Sequence, residues 1–493
     1  MSMTPSLKPL ALAGLLSVVA ATAGCSDSAY ESSFVYSEGT LSLMREAQAG
    51  TKENPGVKTL LDDRFGDPQH LKAWEKLPID FGGTITSVET VAESGDGNKL
   101  VKLTVQEGVA LPEKAVSVQF VSGACSGETV QVAKWNAKTG QATLAAIPGK
   151  EIAAGDTCTI DRGALLSSGR MLYMRHCSHC HGTSGDGNGP TARYMTPKPR
   201  DYRNGVFKFT STNDMSKANR DDLSRIIKYG IPGTYMPSFL LMKDDEHHAI
   251  IEYVKFLAMR GEYEQKLVAQ LSSDFSQTAY DERLKSGEKK KISRAVTKAE
   301  IEKELDEFLA EDLKESASTL GDELAEIWSA ADTEEAAIVP SVPRVPDSPE
   351  SRRRGRELFL SATLKCSDCH GVSGAGNGPQ TIAFEPNPKK ANELYNEPGL
   401  HDIWDNLNQP RNLQLGMYRG GRRPIDIFSR IYAGIKGTKM PASKNTIPQH
   451  EDIWHLVNYV LSIPFEADPG ATGIAPTAAE SVAAPAAVTP PAN

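Results

Sequence analysis

The sequence lacks an excess of basic residues, since 54 Lys and Arg stand against 63 Asp and Glu and give a net charge of −9. Nucleic-acid phosphates are bound by basic surfaces, so this charge argues against a nucleic-acid-binding protein. Beyond residue 25 the sequence also lacks any apolar run long enough to cross a bilayer. With 39% hydrophobic and 24% charged residues in 493, the composition is that of globular domains, about three or four of them at roughly 100–200 residues each.

The first 25 residues are predicted to be a secretory signal peptide, because a short polar start precedes the apolar run LALAGLLSVVAATAG. Its end allows two interpretations. Thr22-Ala23-Gly24-Cys25 resembles a bacterial lipobox, although Thr22 stands where leucine is usual, whereas Ala21-Thr22-Ala23 fits an ordinary cleavage site. Lipidation would account for Cys25, which is left over once the other six cysteines are paired. We therefore expect a periplasmic lipoprotein that is held at the membrane through Cys25.

Composition divides the rest of the chain into six segments. They are a polar, helical segment (26–75), a small β domain (76–165), a first motif-bearing domain (166–262), a charged helical and proline-rich linker (263–349), a second motif-bearing domain (350–465) and a disordered Ala/Pro-rich tail (466–493). The fold class is thus multidomain, with mixed α and β parts.

The β domain is predicted from the segments KLVKLTVQEG, AVSVQFVSG and ETVQVAKWN, which alternate apolar and polar residues. A disulfide between Cys125 and Cys158 is plausible there. The domain has no cluster of titratable residues, so we expect a structural or docking module. In the linker, apolar residues recur at helical spacing, which predicts a spacer helix that ends at Gly321. These residues are Ile301, Leu305, Phe308, Leu309 and Leu313.

Two repeated motifs carry the chemistry. CSHCHGTSGDGNGP begins at Cys177, and CSDCHGVSGAGNGP begins at Cys366 and differs at only three positions. A thioredoxin-like dithiol would need a βαβ context, and a zinc site would need four ligands, and neither is visible. The third chemistry for C-x-x-C-H is a covalently attached haem. The two cysteines bind the porphyrin vinyl groups and the histidine ligates the iron, which assigns Cys177, Cys180, His181, Cys366, Cys369 and His370 to two haem c groups.

The sixth iron position is predicted to be filled by methionine. GIPGTYMP (230–237) and GIKGTKMP (434–441) share the pattern G-I-x-G-T-x-M-P, which places Met236 and Met440 at equivalent positions downstream of the two motifs. A lone methionine usually packs in a core, but a duplicated loop favours a ligand.

A third repeat, P-R-x-x-x-x-G-x-[FY]-[KR], begins at Pro199 and Pro410. Arg200 and Arg411 could each bind a haem propionate, because a guanidinium group suits a carboxylate, or could hold a surface loop. Phe207 and Tyr418 are expected to pack against the porphyrin or the core. An insertion before Pro410 contains Trp404, which is expected to cover a haem edge.

Both motif-bearing segments resemble class I cytochrome c domains. A helix with Gly-Arg and an aromatic precedes each motif (GRMLYMRHC, GRELFLSATLKC), and another helix follows each methionine (DDEHHAIIEYVKFLAM, QHEDIWHLVNYVLSI). The resemblance implies two all-α haem domains, in each of which the last helix crosses the first at its glycine and aromatic. Five further histidines, His179, His247, His248, His450 and His455, are not expected to ligate iron.

Two ligated haems in one chain predict an electron-transfer protein rather than an enzyme, because iron with both axial positions filled has no open site for a substrate. The expected partners are redox proteins that donate and accept electrons, such as those of a respiratory complex. Two alternatives are a dihaem subunit of a larger oxidoreductase and a dihaem peroxidase-like enzyme, although the near-identical methionine loops argue against the latter. A third makes the β domain the docking module, which deletion of residues 76–165 would test.

Overall fold

The computed structural model describes residues 33–46, 55–94, 97–285, 303–390 and 392–465. The predicted signal peptide, Cys25 and the predicted tail lie outside the described residues. Within the described ranges, no helix combines the length and the apolar character that crossing a membrane requires.

Helices dominate the chain on both sides of a block of six strands. The helices are α1 (Glu38–Glu46), α2 (Pro55–Phe65), α3 (Ala164–His176), α4 (Ser178–His181), α5 (Arg220–Tyr229), α6 (Asp244–Phe275), α7 (Gln277–Lys285), α8 (described over 303–310), α9 (Leu313–Ala330), α10 (Pro349–Leu360), α11 (Cys366–His370), α12 (Pro424–Ala433) and α13 (His450–Ser462). The strands are β1 (Thr84–Glu93), β2 (Lys99–Thr104), β3 (Ser117–Phe120), β4 (Thr129–Asn136), β5 (Gln141–Leu144) and β6 (Thr157–Ile160). Short 3-10 turns occur at Ala192–Tyr194, Glu334–Ala336, Pro379–Thr381, Leu413–Leu415 and Ile463–Phe465.

The predicted β domain is a closed six-stranded barrel with the strand order β1-β2-β5-β4-β3-β6. All of its pairings are antiparallel, and β6 closes the barrel by pairing with both β1 and β3. Alternate residues of the strands face inward, so that Val88, Val101 and Leu103 are buried together with Phe120. Closure leaves no open sheet edge between these strands.

The disulfide considered for the barrel is not formed. Cys125 and Cys158 are both buried free thiols. Cys158 lies in β6, where its Sγ is 3.1 Å from Thr86 Oγ1 on the neighbouring strand. Burial raises the pKa of both thiols. They therefore fill the barrel core as small apolar groups.

Helices α3 and α6 cross in the first helical unit, which we define as residues 164–275. A Cβ on Gly169 would overlap the carbonyl oxygen of Ala249, so only glycine permits this approach of the two helix backbones. One turn further along α3, the rings of Tyr173 and Tyr253 meet edge to face at 5.2 Å. Both tyrosines are fully buried.

The second unit, residues 349–465, repeats this crossing with α10 and α13. A Cβ on Gly355 would overlap the carbonyl oxygen of His455, and the rings of Phe359 and Tyr459 lie 5.4 Å apart. Both units thus have the helix crossing that the cytochrome c resemblance implied.

Two segments that sequence patterns set apart belong to the core of the first unit. Residues 263–349 were expected to form a spacer, but α6 continues to Phe275, and α9 buries Leu324 and Trp328 in the same apolar cluster as α3 and α6. Gly321 does not end a helix. It lies inside α9 and packs on the ring of Trp74, where a larger side chain would not fit. Trp74 and α2, which come from the predicted segment 26–75, belong to this core as well.

Candidate functional site

Each C-x-x-C-H motif forms a tight helical turn, α4 or α11, that the following glycine loop closes. The backbone N–H of Gly187 donates to the carbonyl oxygen of His181 at 2.9 Å, and that of Gly376 donates to His370 at 2.7 Å. A Cβ on Gly187 would lie 2.7 Å from the carbonyl oxygen of Pro199. The repeated glycines therefore let the loop pass close to the third repeated element.

The four motif cysteines are partly buried thiols that face one cavity. Burial raises the pKa of Cys177 to about 12 and that of Cys366 to about 11. Both cysteines stand at the start of a short helix, but burial outweighs any stabilisation of a thiolate there. These two cysteines therefore do not have the environment of a redox-active dithiol.

The two motif histidines are oriented by backbone oxygens. His181 Nδ1 lies 3.2 Å from the carbonyl oxygen of Arg200, and His370 Nδ1 lies 3.4 Å from that of Arg411. A proton on Nδ1 that is shared with this oxygen leaves Nε2 available as a ligand, which is the usual arrangement of metal-bound histidine. Burial lowers the pKa of His181 to about 4 and lowers that of His370, so both imidazoles are neutral at pH 7.

The two methionine loops have the same hydrogen bonds. In the first loop the Met236 N–H donates to Thr234 Oγ1 at 3.1 Å, and that hydroxyl donates to the carbonyl three residues earlier at 2.8 Å. In the second loop the corresponding distances from Met440 through Thr438 are 3.2 and 2.8 Å. The threonine of G-I-x-G-T-x-M-P thus holds the turn that presents each methionine.

A single cavity of about 730 Å³ joins the two units. Its lining includes Cys177, Cys180, His181 and Met236 from the first unit and Cys366, Cys369, His370 and Met440 from the second. Apolar side chains, such as Ile250 and Val460, supply much of the remaining wall. Paired thiols, a neutral histidine and a thioether on each side of an apolar cavity fit covalently attached haem, and the structure brings both sets together.

Tyr202 is a site residue that sequence patterns did not single out. Its ring stacks on that of His181, with centroids 4.8 Å apart and an angle of 24°. Phe207 stacks in turn on Tyr202 at 5.8 Å. The third repeat contained a signal for this residue, because it aligns Tyr202 with Leu413 of the second unit and thus places an aromatic ring at this position in the first unit alone. Tyr418, the counterpart of Phe207, donates its hydroxyl to the carbonyl of Val460 at 2.7 Å.

The two repeated arginines reach toward the opposite unit. The guanidinium of Arg200 lies 3.6 Å from the ring centroid of Trp404, and burial lowers the pKa of Arg200 to about 10. Nη2 of Arg411 lies against Gly233 in the first methionine loop, so that a Cβ there would overlap it. Both arginines also line the cavity.

Polar contacts fasten the second unit to the first. Lys436 Nζ donates to Thr212 Oγ1 at 3.1 Å and to the carbonyl of Ser216. Lys444 pairs with Asp214, and two further cross-unit pairs are Lys208 with Asp402 at 3.3 Å and Arg225 with Asp426 at 3.5 Å. Lys436 belongs to the second methionine loop, so its contacts hold that loop against the first unit, and the ion pairs join other parts of the two units.

Four of the five further histidines have side-chain partners in the protein. His247 and His248 contact the carbonyl of Phe239 and the carboxylate of Asp80, each at 2.9 Å. Nδ1 of His450 accepts from a backbone N–H, and Nδ1 of His455 contacts a serine hydroxyl, both at 2.8 Å. His179 is exposed, although it borders the cavity mouth.

Comparisons with known proteins match two separate regions of the chain. Residues 164–254 match the family described as cytochrome c oxidase, cbb3-type, subunit III, and residues 353–464 match the family described as cytochrome c. No curated protein matches the chain. Among solved structures, a chain of the reducing HAO-like protein complex from Kuenenia stuttgartiensis is 21% identical, covers 60% of this chain and 95% of its own, and aligns with a TM-score of 0.39.

The two matched regions contain the points at which the two helix pairs cross, the two C-x-x-C-H turns and both methionine loops. Each match includes one complete pair of cysteines with its histidine. The chain is therefore a dihaem c-type cytochrome that carries one covalently bound haem c in each of its two cytochrome c domains.

Proposed function

We propose that this cytochrome relays single electrons between a donor and an acceptor protein, and that its two haems carry each electron in succession. The observation that carries the proposal is the shared cavity, which has the thiols, histidine and methionine of both units in its wall. Haem bound in this cavity would supply one-electron chemistry, because its iron can alternate between Fe(III) and Fe(II).

The residues would have the following roles. Each pair of cysteines holds its porphyrin through two thioether bonds, and His181 and His370 serve as the histidine ligands, with Nδ1 tied to a backbone carbonyl. Met236 and Met440 would each supply the second protein ligand to the iron through the thioether sulfur. A thioether ligand favours Fe(II) and raises the potential relative to a second imidazole. Rigid ligand loops limit rearrangement when the oxidation state changes.

The first test is a spectroscopically monitored redox titration of the matured protein. Two one-electron steps at positive potential, with the methionine–iron charge-transfer band present in both oxidised haems, support the relay. A haem that loses its methionine on reduction and binds small ligands would instead favour the peroxidase-like alternative. Stable co-purification with other oxidoreductase subunits would favour a place in a larger complex.

The proposed location is the periplasmic side of a bacterial inner membrane, with the lipid on Cys25 as anchor. The support comes from the apolar segment that precedes Cys25 in the sequence. Replacing Cys25 with alanine is expected to move the mature, haem-loaded protein from the membrane fraction into the soluble periplasm. An unchanged distribution would favour cleavage after Ala23 and remove the anchor from the proposal.

A further inference from the structure

Each repeated arginine is in contact with both haem sites. Through its backbone carbonyl, Arg200 contacts His181 Nδ1 at 3.2 Å, and Arg411 contacts His370 Nδ1 at 3.4 Å. These contacts stay within one unit and concern the histidine ligand of that unit. The side chains of the same two arginines lie against elements of the opposite unit.

Arg411 makes its cross-unit contact directly. Its Nη2 lies beside the Cα of Gly233, three residues before Met236, and its Nε donates to the carbonyl of Met417 at 3.3 Å. Gly233 has φ of +73°, so this position in the methionine loop favours glycine both for its backbone and for the space that the guanidinium occupies.

Arg200 makes the corresponding contact through an intermediate ring. Its guanidinium stacks on Trp404, and a Cβ on Gly437 would lie 2.6 Å from the Trp404 ring. Gly437 is the counterpart of Gly233, three residues before Met440. Lys208 and Asp402 form an ion pair close by, and both side chains are largely buried, which holds the insertion that carries Trp404 against the first unit.

We propose that Arg200, Trp404 and Arg411 couple the two haem sites, so that each arginine sets the redox potential of the haem in the opposite unit. A cation held beside a haem's methionine loop disfavours the more positive Fe(III) state, and removal of that cation lowers the potential. The same contacts limit how the loop moves when the iron changes its charge. This inference rests on the proposed relay and on Met236 and Met440 as ligands.

The test uses the haem-loaded full chain and a label that separates the two haems. Met236→His or Met440→His gives the altered haem a lower potential, so that the titration step of each unit can be assigned. Arg411→Gln is then expected to lower the potential of the first-unit haem by up to about 59 mV, which corresponds to a tenfold change in the Fe(III)/Fe(II) ratio for one electron. Arg411→Lys, which keeps the charge, is expected to restore part of this shift.

Arg353→Gln is the matched control, because Arg353 is an exposed residue of the second unit whose ion pairs stay within α10. It removes the same charge and is expected to change neither potential measurably. On the other side, Arg200→Gln and Trp404→Leu are each expected to shift the second-unit haem. Their double variant should shift it by less than the sum, because one stacked pair is lost in both cases.

Two results would overturn the proposal. A shift of the second-unit haem alone in Arg411→Gln would show that Arg411 serves the haem of its own unit, as a propionate partner does. Unchanged potentials at both haems would remove any electrostatic role. Failure of the proposed relay is a separate outcome, because it would already be visible in the unsubstituted protein as the absence of two reversible one-electron steps.

Discussion

The first and second units have the same helix crossing, the same C-x-x-C-H turn and the same threonine-held methionine loop, and they differ in what surrounds these parts. Beside His181 lies the ring of Tyr202, whereas the equivalent position near His370 is Leu413. The first methionine loop has Pro232 where the second has Lys436, which reaches into the first unit. The geometry of the predicted ligand residues is thus duplicated, and the residues that surround them are not.

Replacement of one predicted methionine ligand at a time should produce the largest difference between the two units. Met236→His and Met440→His are each expected to lower the potential of one haem, because imidazole favours Fe(III) relative to a thioether. The Fe(III)/Fe(II) ratio of that haem should rise more than tenfold at a given applied potential. A potentiometric titration should show one displaced step per variant. If either substitution leaves both steps unchanged, that methionine is not an iron ligand.

Substitution of the glycine at each helix crossing compares the stability of the two units. Gly169→Ala and Gly355→Ala would each place a Cβ into a backbone carbonyl of the partner helix, so the helices must move apart. Overpacking of this kind typically costs about 1–3 kcal/mol, and we expect values near the upper end in both units. Denaturant unfolding of the haem-loaded protein measures it. Gly39→Ala, in α1, is the control, since a Cβ there would meet nothing closer than Ser37 Oγ at 3.7 Å. Gly39 is helical like the two crossing glycines, so this variant reports the change of residue in a helix without overlap.

Tyr202→Leu makes the first unit resemble the second at the histidine. The loss of the stacked pair is expected to cost about 1 kcal/mol in the free energy of unfolding, with no direct effect on His370. Equilibrium unfolding, followed through the haem absorption band, gives the cost. A cost well below 0.5 kcal/mol would mean that the ring contact with His181 contributes little to the site.

Lys436 should give the cross-unit contact a small pH dependence. Burial lowers its pKa from 10.5 to about 8, so between pH 8 and 10.5 the unfolded chain binds the proton more tightly than the folded one. The free energy of unfolding should therefore rise with pH over this window, relative to Lys436→Met, by no more than about 1.4 kcal/mol per pH unit. An equal slope in the variant would show that Lys436 does not titrate there.

The local parts of both units could be predicted from the sequence because each is encoded within a short stretch. The motif spacing, the duplicated G-I-x-G-T-x-M-P loop and the Gly-Arg-aromatic helices specify contacts that recur wherever these stretches occur. The roles of Met236, Met440 and the motif cysteines remain predictions. Their placement around one cavity, in contrast, depends on contacts between stretches more than one hundred residues apart.

The sequence did not reveal which helix surfaces pack against each other. The apolar spacing of Leu305 and Phe308 indicates a helix, but spacing does not identify the surface that buries it. In the structure the Phe308 ring lies 5.2 Å from that of Phe275, at the end of α6. Gly321 is typical of a helix end by residue type and was needed for close packing instead. Cys125 and Cys158 suggested a pair by count, and a count carries no distance.

The two ends of the barrel segment join the helical core at neighbouring positions. The backbone N–H of Leu165 donates to the carbonyl of Phe81 at 3.1 Å, and Leu77, Ile79 and Phe81 belong to the helical core rather than to the barrel. The barrel is therefore a cassette inserted into a continuous helical scaffold. A deletion from residue 83 to residue 163, closed by a short turn, removes only the barrel, whereas one that starts at residue 76 also removes three core side chains of the haem unit. Circular permutants opened within the barrel, and its exchange for another small domain with adjacent ends, become practical on this scaffold.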